Sequence, residues 1–122
     1  MRKYLIALVI LISVLISQSY GLEGWNMRLW GFDVLMHIVG GIGLGVFVSA
    51  LLDSGGIHKS RRLFILGAVL AFGLVWELFE ASYAIAKYPL WTDLYFYDTS
   101  KDLLNGLIGA SLSIWAIERK KP

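Results

Sequence analysis

Four long apolar runs, each almost free of charge, constrain this 122-residue chain more than any other feature. About 20 apolar residues in a helix rising ~1.5 Å each cross the ~30 Å hydrocarbon layer of a bilayer. The runs predict helices over roughly 4–19, 33–52, 63–86 and 100–117, with Pro89 and Pro122 outside all four. Charged residues make up 16% of the chain and mean hydropathy is +0.67. A soluble domain is about a quarter charged, so a soluble enzyme and a disordered tail are both excluded. The expectation is an all-α polytopic membrane protein, residues 1–122 forming a single transmembrane domain built as a four-helix bundle. With no cysteine, disulfides, thiolate catalysis and Cys-based zinc sites are ruled out.

Lys and Arg flanking membrane helices stay on the cytoplasmic side, so their distribution predicts orientation. Arg2, Lys3, Lys59, Arg61, Arg62, Arg119, Lys120 and Lys121 fall on one side of such a bundle, and Arg28, Lys87 and Lys101 on the other. Both termini are therefore expected in the cytoplasm of a multipass cell-membrane protein of a bacterium or archaeon. Arg2-Lys3, the apolar stretch and Ser17-Gln18-Ser19 also fit a cleaved signal peptide, which would leave the later topology unchanged. The two outer loops gather Tyr20, Trp25 and Trp30, and Tyr88, Trp91, Tyr95, Phe96 and Tyr97. These suit an interfacial belt or an apron over a site. A net charge of +2 gives no reason to expect nucleic acid.

Acidic residues inside such helices are costly and point to function. Asp33 and His37 are spaced i, i+4; Glu77 and Glu80 i, i+3; Asp98 and Asp102 i, i+4, with Asn105 three further on. Each set lies on one helix face. The predicted topology brings all three to the outer leaflet, with Glu77 and Glu80 about 9–14 Å below the end of a helix reaching Ala86. Glycines beside them, including Gly40, Gly41, Gly43, Gly45, Gly73, Gly106 and Gly109, permit close helix approach. His58, Asp53 and Glu118 read as solvated charges at the cytoplasmic end.

No Lys or Arg is expected inside the helices, and of the rim lysines Lys101 alone lies near a polar stripe. That shortage of counter-ions favours a divalent metal ion or shared protons. Oxygen ligands with one imidazole suit Mg²⁺, Mn²⁺, Ca²⁺ or Zn²⁺. His37, Glu77, Glu80 and Asp102 are the candidate metal ligands and acid/base groups, with Asp33, Asp98 and Asn105 as substrate-binding support. A metal there could activate water against a phosphoester or amide, with a Glu as base. The substrate would be a lipid-linked or cell-envelope molecule; whether the protein is an enzyme stays open. The alternative is a transporter component or assembly partner whose acids bind a substrate or a neighbouring subunit. A hydrogen-bond network that only fixes helix register is the third option. A bundle this thin is also compatible with a homo-oligomer.

Asp33-Val-Leu-Met-His37, Trp76-Glu77-Leu-Phe-Glu80 and Asp98-Thr-Ser-Lys-Asp102-Leu-Leu-Asn105-Gly106 resemble, in order and spacing, the VanZ-like family and the related YjdF-type membrane proteins of bacteria. The resemblance implies a multipass membrane protein. It places Asp33, His37, Glu77, Asp102, Asn105 and Gly106 on the family's motif positions. Glu80 fits the YjdF-type pattern, where a VanZ-like protein more often has Gln, and Lys87–Tyr97 lacks the arginine of VanZ-like proteins. For VanZ itself the implied association is with glycopeptide resistance, without an established reaction.

Overall fold

The computed structural model describes residues 1–22, 30–83 and 86–119, with the side chains of 18–22 and 30 left outside that description. Tyr20, Trp25, Arg28 and Trp30 of the first outer loop, and Lys120 and Lys121, consequently lie outside the described side chains. The chain forms four helices, α1 (Arg2–Leu22), α2 (Trp30–Ser54), α3 (Arg61–Ser82) and α4 (Asp93–Glu118). The all-helical expectation holds, with two boundary corrections that matter. α3 stops at Ser82, four residues before the expected Ala86. Glu77 and Glu80 are thus five and two residues from its end, ~3–8 Å deep by helical rise and shallower than expected.

α4 begins seven residues earlier than expected, at Asp93. Thr92 caps it, its Oγ1 accepting the Tyr95 N–H at 3.3 Å, and Asp93 sits in the first turn. Both features satisfy the positive end of the helix. As a result Asp98, Lys101, Asp102 and Asn105 all ride on one continuous helix.

α2 and α4 run parallel and form the centre. They are in backbone contact: a Cβ added at Gly41 would meet the Gly106 carbonyl oxygen at 2.1 Å, and one at Gly109 would meet that of Ile38 at 2.0 Å. A Cβ at Gly45 would meet Ser113 Oγ at 2.1 Å. α1 lies antiparallel along α2, with Ile10 and Leu11 over Gly43 and Ala7 fully buried. α3 lies antiparallel to α4, Leu103 seated against Gly73. Among the described residues α1 and α3 each pack on α2 without packing on one another. Leu52, Ile65, Val69 and Ala110 form a small buried core.

Much of the apolar surface stays uncovered. Leu5, Leu8, Val9 and Ile16 of α1 and Leu63, Val75 and Leu78 of α3 are exposed. Among the described residues two helices, Gly31–Ser54 and Arg61–Ser82, are long and apolar enough to cross a membrane. Exposed apolar area on this scale calls for lipid or a partner. On α4, Leu103–Ile117 carries no charge, ~22 Å of helix, with Asp93, Asp98, Lys101 and Asp102 before it and Glu118 after it.

At the far end from the acidic motifs the four helices are tied together. Lys3 Nζ is 2.5 Å from Asp53 Oδ2, Arg61 donates to Asp53 and to Ser49, and Arg62 pairs with both oxygens of Glu118 at 2.7 Å. Asp53 and Glu118 are thus partly exposed, as expected, but they are paired helical residues and not free loop charges. They lie within helices that run longer than the apolar runs, so each faces a basic residue on a neighbouring helix. His58 is exposed in the turn, as expected. The termini of α1 and α4 share this end.

Arg61→Met is expected to cost about 1–3 kcal/mol, because hydrogen bonds to charged groups contribute about that much and exposure reduces it. Thermal unfolding in detergent checks it. A variant melting with the wild type would show that the helix seams alone hold this end together.

Candidate functional site

The parallel pairing of α2 and α4 through glycine places His37 beside Asp102 and Asp33 beside Lys101. The Lys101 ammonium is the unforeseen centre of the site. Its Nζ lies 2.8 Å from Asp33 Oδ2, 2.8 Å from Asp98 Oδ1 and 3.3 Å from Asp102 Oδ1. This corrects the expected shortage of counter-ions: the earlier start of α4 moves Lys101 from the first turn of the helix to a position eight residues inside it, beside Asp102. The i, i+3 spacing of Asp98 and Lys101 holds them on one face.

The two aspartates shared by α2 and α4 each present their second oxygen to His37. Nε2 lies 3.5 Å from Asp33 Oδ1 and 3.4 Å from Asp102 Oδ2. Both separations exceed the ~2.7–2.9 Å of a charge-assisted hydrogen bond. Asp102 is 3% exposed, and its Oδ1 has no hydrogen bond despite the nearby lysine. One ligand atom each from Asp33, His37 and Asp102 lies within 4.8 Å of the other two, a grouping able to hold a metal ion.

The remaining predicted residues sit around this centre. Glu77, buried on α3, accepts a hydrogen bond from Thr99 Oγ1 at 3.1 Å. Glu80 accepts from Trp76 Nε1 at 2.8 Å and stays apart from the metal-capable trio. Asn105 is buried with its Nδ2 lacking a partner. His37, Glu77 and Asp102 line the polar end of one groove of about 280 Å³, whose other walls include Leu11, Val14, Leu44, Val69 and Phe72. Tyr88 and Trp91 of the loop, and Tyr95, Phe96 and Tyr97, which the structure places on α4, are not among its walls. Trp91, Tyr95 and Phe96 instead cluster on one another, with ring centroids 5.5–6.2 Å apart.

A family model described as predicted membrane protein (DUF2238) matches residues 2–121. The chain belongs to this DUF2238 family. The match takes in all four helices and every residue of the site, and the family's description accords with the two spanning-length helices. No curated protein and no solved structure matches the chain. Within the DUF2238 chain, Lys101, Thr99 and Trp76 lie inside the three motifs, and the contacts they make with the acids are what motif reading did not assign. The i, i+3 step from Asp98 to Lys101 was the available signal for the first of them.

Proposed function

We propose that this protein is a multipass integral membrane protein, both termini cytoplasmic, whose α2–α4 cluster is an outward-facing site. There it holds a divalent cation on Asp33, His37 and Asp102 and binds or acts on a lipid-linked or cell-envelope molecule. The geometry at His37 supports this reading. Ligand atoms ~2.1 Å from a tetrahedral ion are ~3.4 Å apart, and Nε2 stands 3.4 and 3.5 Å from its two carboxylate neighbours. Those carboxylates turn their opposite oxygens toward Lys101, so an ion on the His37 side leaves the ammonium in place.

His37 and Asp102 line the groove, so an ion held there would be reached from it. When bound, such an ion would polarise a phosphoryl or carbonyl oxygen or lower the pKa of a water. Glu77, on the same wall, is placed to take up or return a proton, and Thr99 orients it. Glu80, Asp98 and Asn105 hold supporting positions. The likeness of the three motifs to VanZ-like and YjdF-type proteins is consistent with a cell-envelope role. The transporter alternative gains less support. No charged side chain follows the cluster across 38–52 of α2, 63–76 of α3 or 103–117 of α4, whereas transport pathways are marked by such groups.

Metal analysis of detergent-purified protein tests the proposal. Wild type and Asp98→Asn should carry stoichiometric divalent metal. His37→Ala and Asp102→Asn should bind it more weakly by more than the about tenfold lost when an outer-shell partner is removed. Equal metal content in all four proteins would sink the cation site.

A further inference from the structure

We infer that the groove between α1 and α3 takes one chain of an amine-headed phospholipid, its ammonium group seated against Glu77 and Asp102. This rests on reading the cluster as a binding site facing the outer leaflet, and does not require the metal. α1 and α3 both pack on α2 but not on each other, so the groove between them has a side opening toward lipid. Its lining on α2 runs from Met36 to Leu44, ~12 Å by helical rise. Its 280 Å³ falls just under the ~300–1,000 Å³ of ordinary ligand pockets. That suffices for a segment of a single chain, and the rest of a two-chain lipid remains in the bilayer.

Charge decides the head group. The polar end of the groove presents Glu77 and Asp102 beside His37, and no Lys or Arg is among its described walls. Among the described residues of the site five carboxylates, Asp33, Glu77, Glu80, Asp98 and Asp102, stand against one lysine and one histidine. A negatively charged head would meet like charge there, whereas an ammonium meets complementary charge. Asp102 is almost fully buried at this end of the groove, and its Oδ1 stands 3.3 Å from Lys101 Nζ. The cluster already accommodates one ammonium, that of Lys101, at 2.8 Å from two of its aspartates.

The test is native mass spectrometry of metal-free, detergent-purified protein offered equal phosphatidylethanolamine and phosphatidylglycerol with identical chains. Wild type should retain the ethanolamine lipid about tenfold over the glycerol lipid, the ratio that one well-placed charged contact gives. Glu77→Gln should bring the ratio close to unity while still retaining lipid. Val14→Trp, which fills the groove, should lose both lipids. A wild-type ratio near unity, an unchanged ratio in Glu77→Gln, or full retention by Val14→Trp would each overturn the inference. Should Val14→Trp fail to fold, photocrosslinking with a chain-labelled phosphatidylethanolamine replaces it. Adducts on Leu11 or Phe72 support the groove, and adducts confined to other surfaces overturn it. Because metal is absent throughout, a negative metal analysis with a positive lipid result refutes the cation site alone.

Discussion

Gly109→Ala should unfold the bundle or cost it about 3 kcal/mol or more, the upper range for overpacking a filled interior. The added methyl would lie 2.0 Å from the Ile38 carbonyl oxygen, and the obstacle is backbone, which cannot rotate aside. Relief requires α2 and α4 to separate along their length. Separation would also pull His37 from Asp102 and Asp33 from Lys101. Gly41→Ala, 2.1 Å from the Gly106 carbonyl oxygen, should behave alike. Gly67→Ala is the matched control, since nothing lies within 4 Å of a Cβ there and alanine favours a helix. Thermal unfolding in detergent separates the cases, and Gly109→Ala melting alongside Gly67→Ala would refute the seam.

Lys101→Met should destabilise by about 3–5 kcal/mol, the usual consequence of leaving one side of a buried ion pair uncompensated. Three aspartates lose their common cation, and Asp102 lies deepest among them. Adding Asp33→Asn to Lys101→Met removes one of the stranded charges and should restore part of the loss. The coupling of the two changes in a double-mutant cycle should be about 0.5–3 kcal/mol, as for residues in direct contact. Strict additivity would show that Lys101 does not hold the site together. The same variant separates the two ionic clusters of the protein, because the Asp53–Arg61 group at the opposite end should be unaffected.

The existence of four helices and the convergence of three acidic motifs were legible from residue type and spacing. Asp33 with His37, and Asp98 with Asp102, are spaced for one helix face, and the glycines beside them announce close approach. The start of α4 was harder to see. Thr92-Asp93 after Pro89 is an ordinary start signal, but the aromatic run Tyr95-Phe96-Tyr97 matches an interfacial loop equally well. Missing that start put Lys101 at the rim and hid the ion pairs that organise the site. The Asp53 and Glu118 pairings escaped for a related reason. Apolar runs mark where a helix meets lipid, whereas the helices themselves continue into water and carry their terminal charges with them. Register between helices is the remaining gap: periodicity shows which face each stripe occupies, but only packing shows that Gly41 meets Gly106.

The central seam joins the second helix to the fourth, and this has a consequence for biogenesis. While the chain is being made, α2 emerges carrying Asp33 and His37, and the α4 groups that face them, Lys101 and Asp102, lie 68 and 65 residues downstream. Synthesis at roughly 5–20 residues per second leaves α2 waiting for several seconds with its polar stripe unmet. The centre of this molecule is thus the last part to be assembled, and α3 must be threaded before the helices on either side of it can close.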